Sequence, residues 1–236
     1  MSSPYIPVVH IVDDDDDMRG ALAALLRAAG HNVRTYADAG HFLLSSIAQL
    51  QGCVLLDVRM PGPSGLDLQS ALVERHSLIP IVFLSGQADV PMCAQALKAG
   101  ALDFLTKPIR KEALLGAVSR ALECDRLRWL AGVRASEAGE LCETLTDRER
   151  TVAAGLASGK LNKEVAADLN LSERMIKNYR ARIMKKLDIH SISRLVELLR
   201  EADHRSDRPL DEGTEPSDAR GRPDASGATS ASAKRP

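Results

Sequence analysis

Five polar residues in the first half of the chain each stand where a short apolar run ends. Asp13 and Asp14 follow Pro7–Val12, Asp57 closes Gly52–Asp57, Ser85 follows Ile79–Leu84, and Lys107 stands before Pro108 just beyond Leu102–Leu105. If these run-ends meet in space, three carboxylates share one site with a hydroxyl and an ammonium. Neighbouring carboxylates repel one another, which raises their pKa values or demands a cation. A hard divalent ion with oxygen ligands, Mg²⁺ foremost, resolves that cost and keeps positions for phosphate oxygens and water.

The runs can bring these residues together only as strands of one parallel sheet, where functional groups gather at the carboxyl ends around the switch in strand order. The pattern from residue 5 to 122 supports this. Those four runs and a fifth, Asn32–Tyr36, alternate with segments of helical period at Met18–Ala29, Ala39–Leu50, Gly65–Arg75, Val90–Ala99 and Lys111–Leu122. The expected fold is α/β: a doubly wound, flavodoxin-like, five-stranded parallel sheet. Within the run Asp13–Asp17, only Asp13 and Asp14 fit the strand end; Asp15–Asp17 are assigned to capping the next helix.

Beyond residue 122 the character changes. Residues 123–144 mix Arg and Glu with scattered apolar residues, with Gly132 and Gly139 as weak points, and read as a partly helical linker. From 145 to 202 no strand pattern occurs. Four helical segments are expected at Asp147–Ser158, Asn162–Leu169, Ser172–Leu187 and Ser191–Arg200, with Thr146 and Glu149 forming a capping box and Ser172 opening the third helix. The tail, 203–236, has Leu210 as its one large aliphatic residue and reads as disordered.

Composition sets the outer bounds. A chain of 236 residues exceeds the usual size of one small domain, and 44% hydrophobic with 27% charged residues is that of an ordinary soluble protein. The net charge of −1 means that any basic surface must be local. Cys53, Cys93, Cys124 and Cys142 lack metal-ligand spacing and read as reduced thiols. No leader-like or membrane-spanning run is found, so a cytoplasmic protein with no membrane partner is expected.

Four motifs carry a resemblance. VDDDDDMR at the first strand end, LLDVRMPGPSGLDL around Asp57, FLSGQADV around Ser85 and AGALDFLTKP around Lys107 together resemble the receiver domain of two-component response regulators. The resemblance implies that Asp57 accepts a phosphoryl group from a sensor histidine kinase. It also implies that Asp14, Asp57 and the backbone carbonyl of Arg59 hold Mg²⁺, with Asp13 acting through water. Lys107 and Ser85 would meet phosphate oxygens, Phe104 would turn inward as a switch, Lys107–Pro108 would be cis, and Arg59 and Gln87 would tune the lifetime of the acyl phosphate. Such a transfer needs little covalent help when donor and acceptor are held in line and the spreading charge is met by cations.

In the helical half, Asn162–Leu169, an Asn170-Leu171 turn and Ser172–Leu187 have helix-turn-helix spacing, with Val165, Ala166, Leu169, Ile176, Ile183 and Leu187 inward. The second of these helices carries Arg174, Lys177, Arg180, Arg182, Lys185 and Lys186 against the single acid Glu173, a net +5 that seeks phosphates. The stretch from LTDRERT to SRLVEL is similar to the LuxR-type DNA-binding domain of the FixJ and NarL kind. That implies a helix entering the major groove of double-stranded DNA, with Lys177, Asn178 and Ala181 facing base edges and Ser172, Arg174, Arg180, Arg182 and Lys185 near phosphates. Met175-Ile176 and Tyr179 depart from the family's usual Thr-Val and His. The last helix, with Ile192, Leu195, Val196 and Leu199 on one face, would divide that face between the core and a contact across a dimer's two-fold axis.

The expected protein is therefore a transcription factor, not an enzyme, that forms a homodimer on phosphorylation and works with RNA polymerase at promoters. Two other readings stand beside it. One is an aspartate-nucleophile phosphatase, against which Val58-Arg59 offers no second acid two residues after Asp57. The other is an atypical regulator or adaptor that acts without phosphorylation.

Overall fold

The computed structural model describes residues 4–45, 50–86 and 90–206, with backbone alone at 204–206. The chain begins with β1 (Val8–Val12), α1 (Asp16–Ala28), β2 (Asn32–Tyr36), α2 (Ala39–Leu43), β3 (Gly52–Asp57), α3 (Gly65–Glu74), β4 (Ile81–Ser85), α4 (Val90–Lys98) and β5 (Asp103–Thr106). The strands form one parallel sheet in the order β2-β1-β3-β4-β5. Every residue of β3 and β4 is buried, which is why these strands read as nearly unbroken apolar runs.

Strand period sorts the core into two layers. Val9, Ile11, Cys53, Leu55, Val82 and Leu84 face α1 and the start of the fifth helix. Val12, Val54, Leu56 and Phe83 face α2, α3 and α4. The chain leaves β1 outward to β2 and returns to β3, so the strand order switches direction between β1 and β3. That crevice lies beside Asp13 and Asp57.

The helical half comprises α5 (Lys111–Glu143), α6 (Asp147–Ala157), α7 (Asn162–Asp168), α8 (Glu173–Lys186) and α9 (Ile192–Ser206). Its core unites Val152, Leu156, Val165, Ile176, Ile183, Leu187 and Leu195. Asn170 ends α7 at φ 52°, and the Leu171 N–H closes back on the Ala166 carbonyl at 2.9 Å. A left-handed residue after the last helical turn is a common stop, and Asn tolerates it.

Three expectations change. The helix expected at Ala39–Leu50 is the short α2; the apolar face gives out at Leu44, which is exposed, and 46–49 lie outside the described residues. The expected linker is helical up to Glu143, because α5 runs unbroken for 33 residues, about 50 Å, through both glycines. Tertiary contacts explain this. Near its middle, Asp125 is buried and accepts the Gly52 N–H at 2.7 Å, with the Tyr5 hydroxyl 2.9 Å away. Arg128 reaches the Leu78 carbonyl, and the Tyr5 and Trp129 rings lie 5.4 Å apart. Farther on, Ala135, Ala138 and Gly139 are buried, small residues that let α5 lie close along α9. Finally, α9 continues to Ser206, past both its expected end at Arg200 and the start of the expected tail; 207–236 lie outside the described residues. Among the described residues no helix is long and apolar enough to cross a membrane.

Candidate functional site

The carboxyl ends of β1, β3, β4 and β5 bring the predicted polar residues together. Asp13 is fully buried; one of its oxygens accepts the Asp15 N–H at 3.0 Å and the other lies 2.8 Å from Lys107 Nζ. The same ammonium is 3.2 Å from Asp57 Oδ2. Asp14 is exposed, yet it offers an oxygen that lies within 4.8 Å of oxygens from both Asp13 and Asp57. Ser85, almost fully buried, ends β4 beside Asp57, and its carbonyl accepts the Lys107 N–H at 2.7 Å. The Lys107–Pro108 bond is cis, as the resemblance implied.

Electrostatics follow from this crowding. Burial pushes the Asp57 carboxyl above its usual value, and Asp13 adds to that push while Lys107 and the Arg59 N–H oppose it. Burial also works against the Lys107 ammonium. The hydrogen bond to Asp13 and the charges of Asp13 and Asp57 outweigh it and hold Lys107 above its usual value. Three acids face one cation, leaving a doubly negative pocket of hard oxygen donors, the charge and chemistry that suit a divalent cation.

On α8, Ser172 caps the helix by accepting the Met175 N–H. Arg174, Lys177, Asn178, Ala181, Arg182 and Lys185 are exposed, and Arg180 is half-buried. The Arg182 guanidinium lies over the Tyr179 ring, 4.8 Å from its centre. Lys186 is spent internally: it bonds the buried Glu149 carboxylate at 2.7 Å and the Thr144 carbonyl at 3.2 Å. The Lys186 ammonium, helped by the Thr146 N–H, holds Glu149 down to about 2. The surface that can meet a polyanion is therefore narrower than the basic count suggested.

Comparison with known proteins agrees with both halves of this geometry. Residues 9–119 match the response regulator receiver domain, and residues 143–199 match the bacterial regulatory proteins of the luxR family. The chain is 42% identical over 191 residues to nodulation protein W of Bradyrhizobium diazoefficiens, covering 81% of this chain and 84% of that protein. It is 43% identical over 189 residues to the response regulator protein TodT of Pseudomonas putida, covering 80% and 83%. Among solved structures, the response regulator StyR superposes with a TM-score of 0.71 at 39% identity, covering 83% of this chain and 98% of that one.

The chain belongs to the two-component response regulators. It joins a receiver domain to a LuxR-type DNA-binding domain and is a transcriptional regulator. A receiver implies a kinase partner, and a LuxR-type domain implies DNA.

In this response regulator Asp13, Asp14, Asp57, Ser85 and Lys107 converge, while Phe104 stands apart, half-buried with its ring 6.3 Å from that of Phe83. Arg59 is exposed, and Gln87 lies outside the described residues. Asp15 caps α1 as expected, accepting the Asp17 and Met18 N–H groups. Sequence reasoning missed Arg19, which pairs with Asp16 and donates to the Asp13 carbonyl at 2.6 Å; the Asp16–Arg19 spacing on one helix was the available signal. A concavity of about 500 Å³, lined in part by Arg27, His31 and Arg34, lies at the opposite ends of the strands, away from these residues.

Gly65 supports the loop that follows Asp57 through a close approach. A Cβ there would fall 2.2 Å from the Asp57 carbonyl oxygen, so Gly65→Ala must displace the backbone that carries the Asp57 carboxylate. We expect a loss of about 1–3 kcal/mol in urea unfolding, as for other overpacked sites, together with impaired phosphoryl uptake. Gly20→Ala, with open space around the new Cβ in α1, is the control and should leave stability equal or raised. Equal behaviour of the two variants would refute the role of this approach.

Proposed function

We propose that Asp57 is the phosphoacceptor of a phosphorylation-driven transcription factor, and the observation that carries this is the Lys107 ammonium bridging Asp13 and Asp57, with Asp14 within reach. An Asp57 oxygen attacks the phosphorus of a phosphohistidine on a sensor histidine kinase. The bond from phosphorus to the donor nitrogen breaks, its electron pair leaves with the imidazole, and an aspartyl phosphate remains. Lys107, already 3.2 Å from the carboxylate, follows the charge onto a phosphoryl oxygen. Ser85 turns its hydroxyl toward another oxygen, its loop shifts, and Phe104 moves into the space released, resetting the surface of α4, β5 and α5.

Asp14, Asp57 and the Arg59 carbonyl would hold Mg²⁺, with Asp13 reached through water; when bound, the ion supplies positive charge for the carboxylates and the phosphoryl oxygens. The altered face pairs two receivers. The paired α8 helices then engage double-stranded promoter DNA, where the protein works with RNA polymerase. Sedimentation of wild type and Asp57→Ala with Mg²⁺, before and after acetyl phosphate or beryllofluoride, tests the switch. A monomer-to-dimer shift in wild type alone supports it. No shift in either protein, or the same shift in both, overturns it in favour of a regulator that acts without phosphate.

A further inference from the structure

Five cations stand on α8 from Arg174 to Lys185, and no acid lies among them. Among the described residues none of the five forms an ion pair, in contrast to Lys186 one step on. An open concavity of about 400 Å³ beside Lys177, Arg180 and His190 leaves the same face uncovered. The opposite charge follows α9 in the sequence. Asp211, Glu212, Glu215 and Asp218 put four acids into eight residues with no cation between them, whereas 219–236 is net basic.

Chain length decides which of these acids reach α8. The turn after the helix is pinned: Asp188 has a φ of 49°, the Ile189 N–H bonds the Met184 carbonyl at 3.0 Å, and Ser191 caps α9 by accepting the Arg194 N–H at 3.1 Å. Helix α9 therefore starts beside the end of α8, and its 15 residues carry the chain about 22 Å to Ser206. Returning over that distance takes about six or seven extended residues at about 3.3–3.6 Å each. Leu210, four residues beyond Ser206, falls short; Glu212 is six beyond, Glu215 nine and Asp218 twelve.

We propose that Glu212, Glu215 and Asp218 dock on the Lys177–Lys185 face of α8 when DNA is absent, so that the chain's own acids compete with DNA for that surface. The inference rests on the DNA-binding reading above and adds a restraint on that site. Exposed ion pairs are weak one by one, so three of them hold the segment only because it is tethered, and they yield to a duplex that offers more charge.

Full-length protein at low salt is treated with a carbodiimide, which joins a lysine directly to a carboxylate in contact with it, and the linked peptides are identified by mass. The exposed pair Lys160–Asp168, 2.7 Å apart, is the internal reference. Links from Lys177 or Lys185 to Glu212, Glu215 or Asp218 are expected, and excess mixed-sequence duplex or high salt should abolish them. Glu212→Gln, Glu215→Gln and Asp218→Asn together should raise affinity for that duplex about tenfold at low salt, as for three exposed pairs of middling strength, and the gain should fade as salt rises. Recovery of the reference link with none between α8 and these acids overturns the docking. A gain in affinity without the links would report only repulsion between the acids and DNA, and overturns it too. Links that survive on duplex-bound protein overturn the competition. Wild type that forms the links and binds no duplex overturns the DNA reading, and the competition with it, while the docking stands.

Discussion

Asp57→Asn is expected to take up no measurable phosphoryl group from acetyl phosphate, a loss on the order of 10⁴-fold or more, as when an enzyme loses its nucleophile. The amide keeps the shape of the side chain and removes its charge. In the folded protein that charge is disfavoured by burial and by Asp13, so its removal relieves repulsion even as it gives up the attraction of Lys107. Unfolding midpoints should therefore stay close to those of wild type, separating lost chemistry from lost fold. Incorporation followed on acid-stable gels or by intact mass decides the matter. Uptake equal to wild type would move the acceptor elsewhere in the pocket, with Asp14 the first candidate because it is exposed and shares the cluster.

The second large effect is expected on α8. Replacing Arg180, Arg182 and Lys185 together by Ala should lower affinity for duplex DNA by on the order of 10³-fold at moderate salt and flatten the salt dependence by about 2.7 in slope, one increment of about 0.9 per lost phosphate. Lys186→Ala, a change of the same formal charge on the same helix, should act differently. Its ammonium is committed to Glu149 and the Thr144 carbonyl, so its loss strands a buried carboxylate. The melting temperature should fall while the salt slope stays near that of wild type. If Lys186→Ala flattens the slope as much as one of the three others, the ion pair is not retained on DNA and the division of labour on α8 is wrong.

The acidic pocket was legible because its members follow apolar strands, and a strand end is a fixed address in a parallel sheet. Asp13, Asp57, Ser85 and Lys107 needed only the order of the strands to be placed together. The fate of Lys186 was not legible: its partner Glu149 is 37 residues away and read as the far half of a capping box, a role it also fills. The same carboxylate does both, which no local pattern can show. The continuity of α5 was hidden for a related reason. Gly132 and Gly139 lower helix propensity, and what offsets them is tertiary: the burial of Asp125 on one side of Gly132 and the close packing of Ala135, Ala138 and Gly139 on the other.

The unbroken α5 has a geometric consequence for the two halves it joins. Its last described tie to the receiver half is at Trp129, against Tyr5, and its first buried residue on the α9 side is Ala135, six residues on. Between those points the helix behaves as a short threaded rod. One residue added there would turn the DNA-binding half by about 100° and advance it by about 1.5 Å. Seven added residues would return it to within about 20° of its starting bearing, roughly 10 Å farther out. In relatives that keep both ties, the length of this stretch is therefore constrained by angle, in whole turns, and is not free to drift one residue at a time.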